Sequence, residues 1–83
     1  MPIPVQETDT QSLERQAYDL VQDIETKEPN DRNRLGYHVY LFMNKGYATF
    51  REAFEVAQAR LTRPAEEIYA LLAERLRARG YQA

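Results

Sequence analysis

The stretch YHVYLFMNKGY, residues Tyr37 to Tyr47, is the most apolar run in the chain and decides its fold. As a β-strand it would place Tyr37, Val39, Leu41 and Met43 on one face, with Asn44-Lys45-Gly46 as a three-residue turn. As a helix it would be closed by the glycine. The residues that follow settle the choice. TFRE, Thr49 to Glu52, is a capping box, in which a threonine side chain takes the N3 amide and a glutamate reaches back. Phe50, Phe54, Ala57 and Leu61 then continue at helical spacing. A helix starting there leaves only Tyr47 and Ala48 for a return strand, too few for a hairpin. Val39 is also the only β-branched residue in the run. The spacing therefore predicts a helix over 31–45, with Gly46 just past its C-cap.

That helix carries two apolar stripes. Leu35, Val39, Phe42 and Met43 form one; Tyr37, Tyr40 and Leu41 form the other, roughly opposite. So small a domain cannot easily cover both sides of one helix with its own neighbours. Part of the second stripe is thus expected to be contact surface for another chain.

On the N-terminal side, Leu13, Ala17, Leu20, Val21 and Ile24 predict a helix over 11–27, capped by Asp9 or Thr10 and stopped by Pro29. Asn30 or Asp31 is the expected cap of the next helix. Residues 1–9, with two prolines and no periodic pattern, read as a flexible arm. On the C-terminal side a third helix is expected over 50–61. A fourth is expected to run to about Arg79, with Thr62 as cap and Pro64 in its first turn. Ile68, Leu71, Leu72 and Leu76 point inward, and Gly80 ends it. The expectation is an all-α fold: a small bundle of about four short helices over 10–83, forming a single domain behind the arm.

Composition narrows the function. The chain has 83 residues, no cysteine, nine aromatics and a net charge of −2. Without cysteine there is no disulfide framework and no thiolate metal site. No apolar run approaches the roughly 20 residues that cross a bilayer, and the N-terminus lacks the basic start and apolar core of a signal peptide. A cytoplasmic location is expected. Residues 1–45 hold eight acids against five bases, which argues against general affinity for nucleic acid. Arginine outnumbers lysine nine to two, read here as the codon bias of a GC-rich bacterial or phage genome.

Catalytic and metal chemistry find little support. His38 is the only histidine, and its neighbours one helical turn away, Arg34 and Phe42, are no ligands. Ser12 is the only serine and sits at a helix start. Asp31 to Gly36 resembles a calcium loop at positions 1, 3 and 6, but Leu35 and Phe42 stand where oxygen ligands are required. Glycines are isolated, so there is no phosphate loop. No cofactor, metal site or catalytic residue is expected. The third and fourth helices suggest a helix-turn-helix, yet the second of them opens with Glu66 and Glu67 where phosphate contacts belong.

The remaining signal is six tyrosines, a residue type enriched at interfaces. Tyr37, Tyr40, Leu41 and Tyr47, with Arg51 one turn on, are the candidate protein-interface residues. The sequence thus points to a non-catalytic regulator, inhibitor or adaptor that binds another protein and self-associates. A DNA-binding transcriptional regulator is the alternative.

Overall fold

Tyr37 through Met43 are helical, and the chain reverses at Lys45. The computed structural model describes residues 9–83, with side chains from Ser12 onward. The expected arm over 1–9 lies outside the described residues, except that Asp9 opens the first helix. Four helices follow one another: α1 (Asp9–Val21), α2 (Pro29–Met43), α3 (Phe50–Ala57) and α4 (Ala65–Ala78). There is no named strand among the described residues, only an isolated antiparallel bridge between Thr26 and Leu61. The all-α expectation holds.

α2 lies between α1 and α3. Its first stripe is the core: Leu35, Val39, Phe42 and Met43 are all buried. They meet Ala17, Leu20 and Val21 of α1, Phe50, Ala53 and Ala57 of α3, and Ile68, Leu72, Ala73 and Leu76 of α4 in one cluster. Burying a large aliphatic or aromatic side chain contributes about 1.5–3 kcal/mol, so this single layer carries the domain. Gly36 sets the approach of α1 to α2. A methyl group there would lie 2.6 Å from Cδ1 of Tyr18 and 3.1 Å from Cγ2 of Val21.

The helix ends differ from expectation in instructive ways. α1 stops at Val21, not at Lys27. Its terminal carbonyls are satisfied from elsewhere in the chain: Arg75 Nη1 donates to Leu20 O at 2.8 Å and Arg32 Nη1 to Gln22 O at 3.3 Å. Ile24 N closes on Val21 O at 3.0 Å. Ile24 is buried as its spacing implied, but from the non-helical connection that follows this turn. That segment pairs with the α3–α4 connection, where Lys27 N donates to Arg60 O at 3.0 Å. α3 correspondingly ends at Ala57, with Gln58 left-handed at φ 48, which frees 59–61 for the pairing.

Pro29 begins α2 instead of only ending α1, as its fixed φ suits a first helical position. The N-cap is Glu28, with no side-chain cap bond. Asp31, an expected cap, lies inside the first turn. It is buried to 2% exposure and accepts from Arg60 Nε at 3.0 Å. Thr62 caps nothing: its hydroxyl is 3.0 Å from Glu25 Oε2, and Pro64 takes the cap position of α4. Gly46 is also one place off. Lys45 occupies the left-handed position at φ 64. Lys45 N donates to Phe42 O at 3.0 Å and Gly46 N to Leu41 O at 2.6 Å, the bond pattern of a Schellman motif. The Thr49 cap holds, with Glu52 N donating to Thr49 Oγ1 at 3.2 Å. Gly80 closes α4 at φ 96 as its place in the sequence implied.

Candidate functional site

The five candidate residues divide between two places. Tyr37 projects from α2 and is 48% exposed, one of two large hydrophobic side chains so open among the described residues; the other is Val56. Leu41 lies one helical turn further along α2 and is half-buried. Tyr47, in the connection after α2, folds back so that its hydroxyl lies 2.7 Å from His38 Nδ1. With Nε2 carrying the proton of a neutral imidazole, the tyrosine donates to Nδ1. The rings form a continuous group: Tyr37 to His38 at 5.6 Å, Tyr37 to Tyr40 at 6.1 Å and His38 to Tyr47 at 5.8 Å between centroids. Burial, and then the charge of Arg34, hold the His38 pKa below its ordinary value. His38 therefore favours its neutral form within the aromatic face, with the exposed Arg34 one helical turn before it.

Tyr40 has another role. It is only 9% exposed and belongs to the core cluster. Its ring, 6.1 Å from that of Tyr37, joins the face to the core, and the second stripe of α2 is part core and part surface.

Arg51 turns to α4 and joins a different group. Its guanidinium forms a two-bond fork with Glu66, 3.2 Å on each arm, and lies 4.1 Å over the centre of the Tyr69 ring. Glu55 is 3.8 Å away. This pairing holds the Glu66 carboxyl below the usual carboxylate range. Tyr69 stacks on Phe50 at 5.3 Å and 15°, and Phe54 meets Tyr69 edge-on at 5.4 Å. Arg51 thus straps α3 to α4 over an aromatic cluster. A shallow groove beside it is floored by Phe50, Tyr69 and Tyr81.

Sequence spacing could not have found these partners. Arg51 and Glu66 are 15 residues apart, and no periodic pattern links them. His38 and Tyr47 are nine apart across a turn whose direction depends on Lys45. The polar hollow at the C-terminal end of α1 has the same origin. There Arg75 makes a 2.7 Å fork with Asp23 while holding Leu20 O, so its charge is spent on structure.

Among the described residues, no group of three histidine or acidic side chains is placed to hold a metal ion. None of the helices is long and apolar enough to cross a membrane. No family model, curated protein or solved structure matches the chain.

Proposed function

We propose that this domain is a small, non-catalytic protein-binding regulator, inhibitor or adaptor, and that the face formed by Tyr37, Leu41 and Tyr47 makes the contact. The observation that carries the reading is the His38–Tyr47 bond beside an exposed Tyr37. It fixes the Tyr47 ring and the His38 imidazole, which meets Tyr37 edge-on, before any partner arrives, and this lowers the ordering cost of binding. Self-association through the same face is part of the proposal, since a small core gains from covering an aromatic patch. The absence of cysteine and the arginine bias favour the cytoplasm of a bacterium or of its phage-infected cell as the setting.

DNA binding is the second reading and has less support. Glu66 and Glu67 open α4, and Arg75 and Arg51 are engaged with Asp23 and Glu66. Capture of the tagged chain's partners with and without nuclease separates the two readings, with sedimentation of the pure chain alongside. The expected result is a stoichiometric protein, or a dimer, that survives nuclease and is lost in Tyr37→Ser, with circular dichroism unchanged. Retention of the partner by Tyr37→Ser would count against the tyrosine face. Loss on nuclease treatment would favour DNA.

A further inference from the structure

We propose that the groove between α3, α4 and the 81–83 segment is a second docking surface, and that it takes a basic, amphipathic peptide segment of another protein. Its floor is aromatic: Phe50 beneath, with Tyr69 and Tyr81 partly open on either side. Tyr81 is held there by the end of α4. Its amide donates to Leu76 O at 3.0 Å, and its ring lies 6.3 Å from Phe42. The floor is therefore preformed, as ligand surfaces of this kind usually are.

The rim selects the partner. Both arginines that line the groove are occupied: Arg51 by Glu66, and Arg77 by Ala83 O at 2.6 Å from its Nε. Glu52 lines the same rim with no ion-pair partner among the described residues, and Glu55 is only at the edge of the Arg51 charge. Glu66, outside the groove, takes up the charge of Arg51, which leaves Glu52 and Glu55 against Arg77 along the rim. An apolar anchor resting on Tyr69 and Tyr81, with a lysine or arginine reaching Glu52 and Glu55, satisfies floor and rim together. An acidic segment would meet the Glu52 carboxylate beside Glu55, a like-charge penalty that discriminates between partners. The surface differs from the Tyr37 face in position and in the sign of its rim. A chain with both could bridge two proteins.

The test uses the full chain and two synthetic amphipathic peptides with one leucine pattern, lysine filling the polar positions in one and glutamate in the other. The lysine peptide is expected to bind, and its largest nuclear magnetic resonance shifts are expected at Phe50, Tyr69 and Tyr81. Glu52→Lys is expected to weaken it about tenfold, with helicity retained. Four results would each overturn the proposal: equal binding of both peptides, absence of binding, shifts centred on Tyr37 and Tyr47, or no effect of Glu52→Lys. Dilution-dependent shifts at Tyr69 and Tyr81 in the chain alone would make a second copy the occupant and would also overturn it.

Discussion

Lys45 holds a left-handed backbone, φ 64, that costs any side chain with a Cβ. Glycine in its place should stabilise the domain by about 0.5–1 kcal/mol, after its greater freedom in the unfolded chain is discounted. A rise in the urea midpoint at constant slope would register this. The neighbouring glycine is not free to exchange roles, because a methyl on Gly46 would lie 2.9 Å from Leu41 O. This is why the turn was legible in the sequence and its register was not. A lone glycine after an apolar run marks a helix end, but two glycine-requiring positions adjoin there, and contact with Leu41 decides between them. His38 makes a second prediction at this scale. Its folded pKa lies below its unfolded one, so the folded chain binds fewer protons. Its contribution is complete above the unfolded value, about 6.5, and is lost as pH falls below that through the lowered folded one. Stability measured over that fall in pH should decline, and His38→Gln should flatten the decline.

At the scale of elements, the end of α1 depends on a residue from another helix. Arg75 supplies both the fork to Asp23 and the donor to Leu20 O. Arg75→Ala should cost about 1–3 kcal/mol, and lysine should restore less than half, because it cannot offer a planar fork and a third bond together. Hydrogen bonds from Arg75 hold the Asp23 carboxyl below its usual range. This part of the stability is present above the ordinary carboxylate value, about 4, and is lost progressively as pH falls below it through the lowered folded value. A urea series at two pH values, with and without Arg75→Ala, separates the two effects. The existence and order of the four helices were readable because their stripes repeat at 3.6 residues. The ends of α1 and α3 were not. Ile24 keeps helical spacing while the backbone has already left the helix, and the cause lies in Arg75 and Arg60, far along the chain. For the same reason the sequence could nominate Tyr37 and Tyr47 but could not foresee that Tyr40 would be absorbed into the core, or that Arg51 would belong to another face.

Across the whole molecule, four helices share one core, and the α1–α2 and α3–α4 connections are joined to each other. Thr26 bridges Leu61, Lys27 N reaches Arg60 O, Thr62 reaches Glu25 across 37 residues, and Arg60 meets buried Asp31. The α1–α2 and α2–α3 contacts close short stretches of chain, whereas this seam must close a long one, and loop closure grows costlier with length. The seam should therefore form after the rate-limiting barrier. Replacing Arg60 by alanine strands the Asp31 carboxylate without its bonded donor, a loss of about 1–3 kcal/mol. Stopped-flow measurements should find nearly all of that loss in faster unfolding, with refolding barely slowed; an equal slowing of refolding would place the seam in the nucleus. If it forms late it also opens first. The lifetime of the native state, as distinct from its depth, would then rest on a few bonds between two connections that carry no helix at all.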